Sequence, residues 1–353
     1  MMMRISFRSL GPWLRPTPSL LQHKSSVCST CQALANLHRQ QLRQHQQNHP
    51  QQLSHDSQQR RRLQLYSANL QRDPVVGVNK NNYKGFNFSD SWTYKGNHGV
   101  DHWAELFSRN CAGKFQSPVD LSPLNMKKDS KLRDFTFTNF DDVTDVVQEL
   151  WNNGHTAQVS YLSGDLRVNG GGLRSEYRVL QFHFHWGRDN TQGSEHTISG
   201  EPYPMEMHVV TYNVDYDNFT NALNYADGLA VLGVFYEAGN FGNYDFDTLT
   251  NALPSVKTPG STVLLDPVPL DLLLPLTTEQ YYRYHGSLTS PPCSEAVTWT
   301  LFRDPVYVSD NQLKAFRGLQ ALERDEITNE HLPMVDNYRP TQPLHGREIK
   351  TSF

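Results

Sequence analysis

The chain has 353 residues, of which 37 % are hydrophobic and 19 % charged, with a formal net charge of −4 at neutral pH. This is an ordinary water-soluble composition, long enough for one large domain plus extensions, or for two domains. The charge is uneven: residues 1–72 hold ten Lys/Arg against the single Asp56, a net of +9, which leaves −13 for residues 73–353. An acidic body of that kind is not a nucleic-acid binder.

Residues 1–85 read as a disordered, basic arm. From residue 22 to residue 72 they are rich in Gln, His, Ser and Arg, with few aromatics and no sustained apolar periodicity, so they cannot bury enough surface to offset the entropy of ordering. No acid precedes Asp56, and Arg4, Arg8 and Arg15 lie among Ser6, Ser9 and Ser19, a pattern that suits a mitochondrial transit segment. A secretory signal needs an unbroken apolar stretch, and Arg8, Pro12, Arg15, Pro16 and Pro18 interrupt every candidate. Cys28-Ser-Thr-Cys31 has redox spacing without a strand–helix context and reads as incidental. No apolar run reaches transmembrane length, and Lys350-Thr-Ser-Phe353 offers no lipid-anchor tail.

Residues 86–353 read as a single strand-dominated domain. Phe135–Phe137, Ala157–Leu162, Leu166–Val168, Tyr177–Trp186, Glu206–Tyr212 and Leu229–Tyr236 have strand character between Gly, Pro, Asn and Asp clusters. Helical signals are short, at Asp247–Leu253 and Asn311–Leu319, the second with Ser309 or Asp310 as N-cap.

Two of these strands carry a metal pattern. In Gln181-Phe-His-Phe-His-Trp186 the period of two puts Gln181, His183 and His185 on one face and Phe182, Phe184 and Trp186 on the other. In Met205-Glu-Met-His-Val-Val210 it puts Glu206, His208 and Val210 opposite Met205, Met207 and Val209. Neighbouring strands of this kind can present three neutral imidazoles to one zinc ion, with a fourth position open as in catalytic sites. The same histidines on a solvated strand face are the bland alternative. Gln181 and Glu206, each two residues before a ligand and on its face, supply acceptors for the second ring nitrogen and favour the metal reading.

The stretch Gln181-Phe-His-Phe-His-Trp-Gly187, then Gly193-Ser-Glu-His-Thr197, Glu206-Met-His208 and Gly286-Ser-Leu-Thr-Ser-Pro-Pro-Cys-Ser-Glu295 resembles the α-class carbonic anhydrase signature. Ser91–Gly96, Gln116–Asp120, Asn152–His155, Val297–Trp299 and Asn337–Leu344 extend the likeness in the same order. It implies a mainly β (α+β) domain with a large, mostly antiparallel twisted sheet of about ten strands and short peripheral helices. It also implies an enzyme that hydrates carbon dioxide reversibly to bicarbonate and a proton by zinc-hydroxide attack. The zinc ligands would be His183, His185 and His208, with Gln181, Glu206 and Asn337 around them. Thr289 would orient the nucleophile and donate its hydroxyl proton to Glu195, and His155 would carry protons to buffer. Tyr94, Asn153 and Gln158 would order the water chain, Gln158 standing where the family more often has Asn. Val210, Val231, Leu288, Val297 and Trp299 would wall the substrate, and Ser290, in place of the commoner Thr, would contact bicarbonate. Catalytically silent relatives, which serve as binding or matrix modules, replace one or more of the three histidines; here all three are intact. A monomer is expected.

The resemblance pairs Cys111 with Cys293 as the disulfide that secreted and membrane-anchored members carry, which implies an oxidising compartment. That places the domain in the secretory pathway, against the mitochondrial alternative of the leader. The sequons Asn87-Phe-Ser89 and Asn218-Phe-Thr220 decide little by themselves.

Overall fold

The structure is a computed structural model that describes residues 92–353. The expectations for the arm, the boundary near residue 85, Cys28, Cys31 and the Asn87 sequon lie outside those residues.

The described chain is built on a thirteen-stranded sheet. Ten strands follow one path in the order Thr262–Leu264, Val147–Asn152, Ala157–Ser163, Tyr177–Trp186, Met205–Asn213, Leu229–Gly239, Val297–Phe302, Tyr281–Gly286, Ile349–Thr351 and Met126–Lys128. Phe135–Thr138, Arg167–Gly170 and Val306–Ser309 pair alongside it. The expected strands are all present, and Tyr177–Trp186 has the expected bounds. Pairing is mostly antiparallel, as expected. The exceptions are Leu229–Gly239, parallel to both Val297–Phe302 and Val306–Ser309, and the pair Ile349–Thr351 with Met126–Lys128.

The histidine strands meet through a register irregularity. Val179 pairs with Thr211, but Gln181 pairs with Val210, so Leu180 is an extra residue. Such a bulge shifts everything after it by one position. Beyond it His183 stands opposite His208, and His185 opposite Glu206.

The sheet separates two apolar cores. One holds Phe182, Phe184, Trp186, Met205, Met207 and Val209. It is covered by the helices Tyr244–Ala252 and Asp310–Arg317 through Phe246, Leu249, Leu313 and Phe316. The second helix starts at Ser309, one of the two expected caps. The Ser309 side chain accepts from the Gln312 N–H while the Gln312 side chain accepts from Ser309 N–H, a capping box. The other core contains Val210, Val231, Val297 and Trp299, and the histidines open on this side. A smaller cluster of Trp92, Tyr94, Trp103, Cys111 and Cys293 packs apart from both. Among the described residues no helix is long and apolar enough to cross a membrane.

Candidate metal centre

His183, His185 and His208 converge, with ring centroids 4.6 to 5.3 Å apart and one ligand-capable atom from each within 4.8 Å of the others. One nitrogen of every ring is already committed. Nδ1 of His183 lies 2.9 Å from Gln181 Oε1, Nδ1 of His185 lies 2.8 Å from the Asn337 carbonyl oxygen, and Nε2 of His208 lies 2.7 Å from Glu206 Oε1. These contacts make each committed nitrogen a donor and leave a lone pair on the other, at Nε2 of His183, Nε2 of His185 and Nδ1 of His208.

Gln181, Glu206 and Asn337 thus each lie against one of the rings, Asn337 through its backbone. Its backbone carbonyl holds His185, while its side chain accepts from Trp186 N–H and donates to the carbonyls of His155 and Phe184. The open nitrogen of His185 is buried without a hydrogen-bond partner among the described residues. Burial, reinforced by the neighbouring rings, holds His183 well below its ordinary pKa. Burial also lowers His185. Three neutral nitrogen donors around one point, with no thiolate among them, fit a zinc ion with an open coordination position.

Glu206 organises the surroundings. Its Oε2 accepts from the N–H groups of Glu195 and His196, and its Oε1 faces Nδ1 of His196 and Nε2 of His208, both at 2.7 Å. Burial would raise this carboxyl, but His196 and His208 outweigh it, and the group lies well below the usual carboxylate range. His196 continues through Nε2 to Tyr284 Oη at 2.7 Å, and Tyr284 donates to Ser117 Oγ at 2.7 Å. His196, Glu206 and His208 also form a possible ligand group, but their short contacts to one carboxylate oxygen are those of a hydrogen-bonded network. Sequence reasoning gave no role to His196, Tyr284 or Ser117. The only signal was His196 itself, next to Glu195 in the Ser-Glu-His-Thr block. The turn that carries this block needs Gly193, which has φ +155° and where a Cβ would lie 1.9 Å from the Pro204 carbonyl oxygen.

One expectation is not met. Glu195 Oε1 accepts from Arg339 N–H at 2.8 Å, which turns Oε2 toward Nε2 of His185 at 3.5 Å. Glu195 Oε2 has no hydrogen-bond partner among the described residues, so the Thr289-to-Glu195 hydrogen bond is absent. Thr289 is nevertheless buried, in a loop tied by the Cys111–Cys293 disulfide and by Cys293 N–H donating to Ser290 carbonyl oxygen.

The expected wall lies on the metal face. Val210 pairs with Val231 and Val231 with Trp299, one row across three strands, all buried, with Val297 on the same strand as Trp299. Leu288 packs against this cluster, and Ser290 is half-buried beside Thr289.

His155 stacks on Trp92, centroids 3.8 Å apart and planes 11° from parallel. Asn153 Oδ1 accepts from the His155 and Thr156 N–H groups, and Asn153 Nδ2 donates to Gln158 Oε1 at 3.4 Å. Tyr94 meets the Trp92 ring edge-on at 5.4 Å, and burial raises its hydroxyl well above the ordinary value.

The family described as eukaryotic-type carbonic anhydrase matches residues 98–353. The chain belongs to that family. It is an enzyme of the carbonate dehydratase type, and its family is zinc-dependent and acts on carbon dioxide and bicarbonate. Carbonic anhydrase 3 of Bos taurus is 38 % identical over 264 residues, 74 % of this chain and 98 % of its own length. Carbonic anhydrase 7 of Homo sapiens is 38 % identical over 265 residues, 74 % of this chain and 97 % of its own. Carbonic anhydrase 12 of Homo sapiens is also 38 % identical over 265 residues, 74 % of this chain and 73 % of its own.

Proposed function

We propose that this carbonic anhydrase is catalytically active and holds its zinc on His183, His185 and His208. The observation that carries the reading is the commitment of one nitrogen in each ring, which leaves three lone pairs aimed at one point. When bound, zinc supplies the Lewis acidity that makes a water nucleophilic near neutral pH, carbonic anhydrase being the standard example of that effect.

The chain's own groups do the rest. Val210, Val231, Leu288, Val297 and Trp299 give apolar carbon dioxide a dry surface beside the metal face. The Thr289 hydroxyl orients the attacking oxygen, and the Ser290 hydroxyl contacts bicarbonate. His155 takes up the proton released at each turnover on its imidazole and passes it to buffer, a task suited to a side chain that titrates near neutrality. Asn153, Gln158 and Tyr94 order the water between. The Cys111–Cys293 bridge supports an oxidising, secretory compartment for residues 86–353, which act as a monomeric domain.

His208→Ala tests the ligand assignment. The variant should lose stoichiometric zinc and carbon dioxide hydration together, because two ligands are too few for this site. Full zinc content by metal analysis would sink the assignment.

A further inference from the structure

The hairpin of Gln320–Arg324 and His331–Pro333 grips both partners of the His155–Trp92 stack through two adjacent residues. Leu322 N–H donates to the Gly154 carbonyl oxygen at 2.8 Å, holding the turn that carries His155. Gly154 has φ +91°, and a Cβ there would lie 2.9 Å from Leu322 Cβ, so turn and hairpin are in direct contact. Glu323 Oε1 accepts from Tyr94 N–H at 3.2 Å, holding the segment that carries Trp92. The far side of that segment is also tethered, since Lys95 Nζ donates to Asp336 Oδ2 and to the Val335 carbonyl oxygen.

We propose that Glu323 is a positioning residue for proton transfer, fixing through Tyr94 N–H the aromatic surface on which His155 stands. The Glu323 side chain is half-buried and far from Trp92 in sequence, so this hydrogen bond is a tertiary tie. Without it the Trp92–Tyr94 segment keeps its tether at Lys95 and the bonds of Thr93 to His98 and Trp103, but loses its tie to the hairpin at Tyr94. Trp92 can then shift relative to a turn still held by Leu322, and the His155 ring follows the surface it stacks on. The inference rests on the reading of His155 as proton relay. Glu323 itself touches neither the metal face nor the substrate wall.

The test compares Glu323→Ala, Glu323→Gln and His155→Ala in the full-length zinc enzyme. An amide oxygen still accepts from Tyr94 N–H, so Glu323→Gln should behave like the parent. Glu323→Ala should lower turnover in weak buffer by about three- to tenfold, as a misplaced relay does. It should leave carbon dioxide–bicarbonate exchange at chemical equilibrium within twofold, and added imidazole should restore turnover. Parental turnover of Glu323→Ala in weak buffer, with His155→Ala impaired, would overturn the inference alone. Equal losses in exchange and turnover would also overturn it, since a general structural defect produces them. If His155→Ala is unimpaired in weak buffer, the relay reading falls and the inference with it.

Discussion

Glu206 Oε1 sits 2.7 Å from Nε2 of His208, and this contact decides which nitrogen of His208 faces the metal centre. The same oxygen meets Nδ1 of His196, and its partner oxygen takes two backbone N–H groups. The ring of His208 is thus held by a carboxylate that three other donors fix in place.

Replacing Glu206 by Gln presents at least one of those donors with an NH2 group in place of an acceptor. Zinc affinity is expected to fall about 10–100-fold, the usual cost of removing a partner that orients a ligand. Competition with a chelator of known affinity measures it. An unchanged zinc constant would show that His208 is oriented by packing alone.

Val231 lies between Val210 and Trp299 in one row of the sheet and is almost fully buried. Val231→Phe fills the apolar wall and is expected to lower kcat/KM for hydration by about tenfold or more, through displacement of the substrate. The overpacking should cost about 1–3 kcal/mol of stability. Zinc content should stay at one per chain, and its loss would show that the substitution distorts the histidines instead.

The Cys111–Cys293 bridge spans 182 residues of sequence. Reducing it, or replacing both cysteines with Ser, should destabilise the domain on the order of 2–5 kcal/mol. The melting temperature should drop while zinc content and low-temperature activity persist. Non-reducing peptide mapping of protein from its native source checks the bridge, and free thiols at both positions would contradict it.

Asp336 gathers Lys95 and Arg188, and accepts from Arg188 N–H as well. Burial would raise its carboxyl, but hydrogen bonds from Arg188 and Lys95 hold it below the usual value. A depressed folded pKa gives stability that is fully present above the unfolded value of about 3.9 and is lost as pH falls through the folded value. Asp336→Asn should therefore cost on the order of 1 kcal/mol at neutral pH. The gap to the parent should close as pH falls below about 4, read from denaturant melts at each pH. A gap independent of pH would assign the effect to packing.

Period two along Gln181–Trp186 and Met205–Val210 was enough to put the histidines on one face of each strand, together with Gln181 and Glu206. That follows from the geometry of an extended chain, where alternate side chains share a side regardless of what lies next to them. The short helices were visible for similar local reasons, through the Ser309 cap and the apolar spacing behind it. Which residue of one strand faces which residue of the other is not local. Without the extra residue at Leu180, the register that pairs Val179 with Thr211 would continue and set His183 opposite Met207; with it, His183 meets His208. Other contacts that cross long stretches of sequence were invisible: Arg339 N–H on Glu195, and Glu323 on Tyr94. Each uses a backbone group on one side, which every residue possesses, so no residue type marks the position beforehand. The amino-acid sequence alone determined which histidines and neighbouring side chains share a strand face. The tertiary structure alone decided their register, their partners and the orientation of the carboxylate at Glu195, because those depend on how separate strands are brought together.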